Sequence, residues 1–329
     1  MFAALADRGT GSPGSGLPVD RSRGRSADSP AEIPLRGWKD VLLRVWREFN
    51  ADNITIIAGG VTFSVLLAIF PALGAFVALY GLVGDVNDVP GQIQFLSVLL
   101  PHDMVKFVGG EMIRLARARS GGLSLALIVG LLVSFWSANG AMRAVMVGLN
   151  VAYEEHEKRG FLKATLTSLA FTFGLLVFGA ATITALGAGS VVAAFLGKDA
   201  ELVFNILRWP LLVLAFAAGL SILYRFGPSR QMARWRWITW GSAAATALWL
   251  LSSVAFSFYV GRFAHYDRTY GSLGTVIGLM VWIWLSAIIV LAGAEMNAEL
   301  EHQTAVDSTT GNALPLGARG AKMADTVAG

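Results

Sequence analysis

The chain has no cysteine among its 329 residues and only four histidines. Without cysteine there are no disulfides, thiolate nucleophiles or cysteine-held metal and iron–sulfur centres. His102, His156, His265 and His302 fall in separate connections or at a span end. None belongs to an HxxxH or HxH pair that would bring two ligands together, so no metal site is expected. No GxSxG elbow, P-loop or GxGxxG unit after a strand occurs, which leaves acyl transfer and nucleotide-driven chemistry without a signal. The expectation is a protein that is not an enzyme and carries no cofactor. Charge is scarce as well: 15% of residues are charged, where soluble domains carry about 25%.

Apolar residues fill the space that charge leaves. They make up 55% of the chain, the mean hydropathy is +0.59, and such a chain cannot cover its apolar surface in water. A helix needs about 20 apolar residues to cross a hydrocarbon core. Runs of that kind lie at 54–82, 123–149, 161–186, 202–224, 238–260 and 273–294. The runs are continuous, whereas barrel strands would alternate over about 10 residues. The fold class expected is therefore all-α, a polytopic membrane helical bundle of six transmembrane helices, each closing its own backbone hydrogen bonds. Apolar residues continue beyond Leu186 to Leu196, so the third span is either long and tilted or followed by a re-entrant turn.

Arginine and lysine set the orientation. They gather before the first span (Arg21, Arg23, Arg25, Arg36, Lys39, Arg44, Arg47), between the second and third (Arg143, Lys158, Arg159, Lys163) and between the fourth and fifth (Arg225, Arg230, Arg234, Arg236). Those segments, and with them both termini, are expected in the cytoplasm. Three regions follow: a disordered tail over 1–35, a membrane domain over 36–301 and a second disordered tail over 302–329. The first tail is rich in Gly, Ser, Pro and Arg and lacks the apolar core of a cleaved signal peptide.

From Gly37 to Asn50, Trp38, Val41, Leu42, Val45, Trp46 and Phe49 recur at helical spacing. That pattern fits a cytoplasmic interfacial helix on anionic lipid, and equally a helix packed beneath the bundle. The long connection at 83–122 reads as short outer-side helices broken at Pro101.

Polar residues at membrane depth are the candidate site, because charge there is costly and usually faces a bundle interior or a wet cavity. Asn139, Arg143 and Asn150 lie in the second span, Glu295 lies near the end of the last, and Asn53 precedes the first. They would line a polar pathway. Arg143 and Glu295 stand at similar depth in this topology and could pair; alternatively Arg143 extends to the headgroups and Glu295 ends its helix. Pro71 lies inside the first span, where a missing backbone donor predicts a kink. Small residues at Gly59 and Gly60, Gly274 and Gly278, and Gly187 and Gly189 permit close helix approach, within one chain or in a homo-oligomer.

Several stretches together carry a family resemblance. They are residues 64–73 (SVLLAIFPAL), residues 136–153 (WSANGAMRAVMVGLNVAY), Tyr259, residues 270–274 (YGSLG), Trp282 and residues 293–298 (GAEMNA). On these the chain resembles the YihY/BrkB bacterial membrane proteins, a group that has carried a ribonuclease label. The resemblance extends over residues 38–301 and implies six spans in a bacterial plasma membrane. It also implies a role in envelope integrity or in moving a lipid or solute, with anionic membrane lipid as partner. A zinc nuclease would need a His and Asp cluster that this chain lacks, and nucleic acid is not an expected partner. The alternative to transport is a structural or interaction protein of the envelope.

Overall fold

The computed structural model describes residues 21–83, 109–110, 125–187, 195–262 and 272–328. The outer-side helices expected over 83–122 fall almost wholly outside the described residues.

Helices account for the architecture. After two short 3-10 turns come α1 (Leu35–Ala51), α2 (Ile54–Val83), α3 (Leu125–Ala152), α4 (Phe161–Gly187), α5 (Lys198–Phe226), α6 (Trp235–Arg262), α7 (Ser272–His302) and a last short turn, α8 (Lys322–Asp325). By length and composition, four of the described helices can cross a membrane, namely α4, α5, α6 and α7. The pair α1 and α2, bent by 61° at their junction, makes five if taken as one span. Their outward surfaces remain apolar, with Leu132, Leu166, Phe173, Leu214 and Leu251 all exposed, as a lipid-facing surface requires.

α2 lies along α3 more extensively than any other helix pair meets, and α7 packs against α6, α2 and α3 in turn. Close crossings set this arrangement. A Cβ on Gly293 would stand 2.6 Å from the Tyr224 hydroxyl and 2.7 Å from the Ala245 Cβ, and one on Gly241 would meet the Gly293 carbonyl at 2.2 Å. Only glycine lets α6 and α7 approach this closely. The pairs expected from sequence were others, and Gly59 and Gly60 have open space where a Cβ would sit.

α1 is amphipathic on two sides. Val41, with Trp38 and Val45, packs against Trp237, Leu300 and Ile33, while Leu42, Leu43 and Trp46 stay exposed. The chain turns from α1 into α2 at Asp52 and Asn53. Asn53 has φ +52°, the left-handed region that asparagine tolerates better than most residues.

The expectation of disordered tails does not hold for the described parts of them. Residues 303–328 run back over the end of the bundle. Arg234 N–H donates to the Ser308 carbonyl at 2.9 Å and Thr310 N–H to the Met232 carbonyl at 2.9 Å, an antiparallel bridge to the α5–α6 loop. Arg319 holds the loop from within, donating to the carbonyls of Ala324 (2.6 Å), Ala305 (2.7 Å) and Leu314 (3.1 Å). The segment before α1 joins them: Ala305 N–H donates to the Arg25 carbonyl at 2.8 Å and Thr304 Oγ1 to the Ala27 carbonyl at 2.7 Å. A polar, small-residue sequence looks disordered by composition; here its backbone is satisfied by partners distant in sequence.

The start of α2, the end of α3, the start of α4, the end of α5, the start of α6 and the end of α7 therefore share one end of the molecule with both tail segments. The densest core lies there too, where Ile54, Leu149, Tyr153, Tyr224, Leu291, Ala294 and Met323 meet.

Candidate functional site

Of the polar residues singled out from sequence, Asn150, Asn53 and Glu295 lie at this end, while Asn139 lies midway along α3 and Arg143 between it and Asn150. Asn150 is buried; its Oδ1 accepts from Ser229 N–H at 2.8 Å and its Nδ2 donates to Glu157 at 3.3 Å. It ties α3 to the two loops on either side of α4 and α5. Asn139 is also buried, and its Oδ1 has no hydrogen-bond partner among the described residues. Asn53 is exposed, donates to the Ala51 carbonyl at 3.1 Å and serves as the turn residue between α1 and α2. Pro71 falls within α2, and its side chain is outside the described residues.

Arg143 and Glu295 are not brought together as an ion pair among the described residues. Arg143 donates to Thr165 Oγ1 on α4, and its guanidinium lies 5.5 Å from the centre of the Phe161 ring. No carboxylate pairs with it among the described residues. Glu295 is 1% exposed on the interior side of α7, facing Asp52 at the α1–α2 turn.

The partners that sequence reasoning missed are long-range. Arg44 on α1 pairs with Glu299 on α7 and donates to Gln303 Oε1 at 2.6 Å. Arg230 in the α5–α6 loop pairs with Glu301. Asn297 Oδ1 accepts the Gly241 N–H at 2.8 Å, which explains why an amide stands one turn from Gly293. Residues 71 or 255 positions apart leave no local pattern; a charge in an apolar helix end was the one available signal. At the rim of this end Glu157 takes two hydrogen bonds from the Arg159 guanidinium, at 2.7 and 2.9 Å. The guanidinium holds its carboxyl well below the usual range, down to about 2, despite the opposing effect of burial.

Beside this locked end lies an apolar groove of about 1010 Å³ between α4 and α5. Leu166, Phe171 and Phe178 form one wall, Phe216, Leu220 and Leu223 the other, and Met142 of α3 the floor. It extends from Leu162 to Phe178 along α4, about 24 Å of helix, and it is open to the side. Its tail-side mouth carries Lys163 in the lining; Arg143, next in sequence to Met142 of the floor, meets Thr165 and Phe161 on α4 just outside that lining. No cluster of three or more His, Asp or Glu suited to a metal ion occurs among the described residues.

A helical bundle with an apolar outer surface and several membrane-length helices is a multi-pass membrane protein. A profile of the virulence factor BrkB family matches residues 45–315, and the chain belongs to that family. The putative ribonuclease-like protein YfkH of Bacillus subtilis is 33% identical over 245 residues, 72% of this chain and 86% of that protein. A UPF0761 membrane protein of Verminephrobacter eiseniae is 30% identical over 272 residues, covering 80% of this chain but only 62% of the longer relative. The UPF0761 membrane protein NTHI0384 of Haemophilus influenzae is 23% identical over 267 residues, 80% of this chain and 96% of its own. No solved structure matches.

Proposed function

We propose that this BrkB-family protein spans a bacterial plasma membrane six times and engages an anionic lipid in the α4–α5 groove, carrying it between leaflets. Of the six long helices, α2 and α3 complete the count of spans. The end that collects the Arg- and Lys-rich loops and both tail segments is the cytoplasmic one by the positive-inside rule. α1 then lies in the interface, with Leu42, Leu43 and Trp46 toward the acyl chains.

The observation that carries the lipid reading is the groove, with Lys163 in its lining and Arg143 close by on α3, neither paired with a carboxylate among the described residues. An apolar slot open to the side accepts an acyl chain, and Lys163 in its lining, with Arg143 bound to Thr165 of the same helix α4, would meet a phosphate. No ATP site is expected, so any net movement draws on a gradient or a partner. The polar residues named from sequence support this reading only in part, because Asn150 is spent on holding loops. That locking favours a second reading, a non-transporting structural protein of the envelope.

Reconstitution in vesicles of zwitterionic and anionic phospholipid tests the choice through redistribution of a labelled headgroup. Arg143→Ala is expected to slow redistribution tenfold or more. Gly174→Leu fills the groove at a site where a Cβ meets nothing within 4 Å, so it blocks movement without unfolding the bundle. Redistribution equal to protein-free vesicles in the wild type, for every lipid tried, removes the transport reading and leaves the structural one.

A further inference from the structure

One carboxyl in the core has no cation paired with it among the described residues. Glu295 on α7 is 1% exposed, and its Oε1 receives no N–H or O–H from the described residues. Asp52, half-buried at the α1–α2 turn, faces it from the neighbouring element, so that the two carboxyls act on each other. Ionised carboxylates are acceptors only. A hydrogen bond between two carboxyls therefore needs a proton that neither group supplies when both are charged.

The surrounding charges sharpen the point. On α1, Glu48 adds a third carboxyl with Arg47 beside it, and Arg44 is committed to Glu299. Along α7, Glu299 also faces the His302 Nδ1 at 3.7 Å. At the end of α3, Glu154 is paired with Lys322 of α8, and Tyr153 contributes a neutral hydroxyl within electrostatic reach of Glu295. Arg230 is committed to Glu301. Among the described residues Arg44, Arg230 and Lys322 are each paired with another carboxylate, and the pair at Asp52 and Glu295 is left with a proton as its natural counter-charge. Two carboxyls facing each other, one of them buried, cannot both ionise without mutual repulsion, the situation of shared-proton carboxyl pairs in general.

We infer that Asp52 and Glu295 form a proton-binding site, with the exposed edge of Asp52 as the entry from the tail-side aqueous phase and Glu295 as the buried holder. The doubly ionised pair takes one proton from water, forming one O–H bond and passing from two negative charges to one. Because Asp52 belongs to the turn joining α1 to α2 and Glu295 to α7, the proton bridges the hinge to the bundle. Losing it sets two negative charges in contact across that interface and drives the turn away from α7. The inference stands apart from the lipid reading, since no residue of the α4–α5 groove takes part.

Infrared difference spectroscopy on the full chain in lipid nanodiscs, titrated from mildly acidic to alkaline pH, tests it. The wild type is expected to show a protonated-carboxyl C=O band at neutral pH that disappears on alkalinisation. Glu48→Gln should keep that band, and Asp52→Asn with Glu295→Gln should lose it. Glu295→Gln alone, an isostere of the protonated acid, is expected to fold as the wild type by circular dichroism and to lose the band, which covers the case of a double variant that does not fold. A wild type without the band, or a folded Glu295→Gln protein that retains it unchanged, overturns the site. Loss of the band on adding sodium chloride but not choline chloride would assign the pair to a sodium ion and overturn the proton.

Discussion

Arg230 and Glu301, both fully buried, clasp each other through two hydrogen bonds, Nη2 to Oε1 at 2.6 Å and Nη1 to Oε2 at 3.2 Å. The Tyr153 ring lies 4.3 Å beneath the guanidinium, and Ser308 Oγ donates to Glu301 at 2.7 Å. One ion pair thus joins the end of α3, the α5–α6 loop, the end of α7 and the returning tail. Removing one partner leaves a buried charge, which costs about 3–5 kcal/mol, whereas an apolar pair of similar volume is far less harmful. Arg230→Ala is therefore expected to lower the thermal unfolding midpoint in detergent sharply, and Arg230→Met with Glu301→Leu to recover most of it. A single variant as stable as the wild type would mean that the pair is not desolvated.

Gly293 is expected to accept no side chain. A methyl there meets the Tyr224 hydroxyl and Ala245 at once, and the Tyr224 hydroxyl is fixed by donating to the Val290 carbonyl at 2.7 Å. Overpacking of this kind costs about 1–3 kcal/mol. Gly293→Val should unfold at lower temperature and yield less folded protein on size exclusion, while Gly59→Ala, at an open position, should match the wild type.

The tail should come off in acid. Burial of Asp307 opposes its charge, yet hydrogen bonds from Leu314 N–H and from the Thr309 N–H and hydroxyl, with Arg319 nearby, hold its carboxyl below the ordinary 3.8. A depressed carboxylate stabilises the folded tail above its unfolded value, and that contribution is lost as pH falls through the lowered folded value. An acid-active protease should leave residues 303–328 intact at pH values above 3.8 and cut them increasingly below it. Asp307→Asn should be cut across the whole range. Equal cutting of wild type and variant at mildly acidic pH would sink the assignment.

Segment length made the long helices legible, since nothing in water explains such apolar runs. Their ends were less so. The last run was read as stopping at 294, yet α7 continues to His302 because Glu295, Glu299 and Glu301 are buried in the tail-side end of the bundle, where loops and tail supply partners. Charges that resembled a helix terminus are interior groups. Asn53 looked like a pathway residue and is a left-handed turn, a role that its position between an amphipathic and an apolar helix could have suggested. The clamp of the tail by Arg319 was invisible, because it acts on backbone carbonyls, which every sequence has.

Met323, in the final helical turn, is 2% exposed and belongs to the same core as Ile54, Leu149 and Tyr224. That core draws on a residue that leaves the ribosome after every long helix has been synthesised. Membrane insertion of the helices and closure of this core are thus separate events in time. A translocon can finish the first, while the second waits for the tail to fold back from the aqueous side.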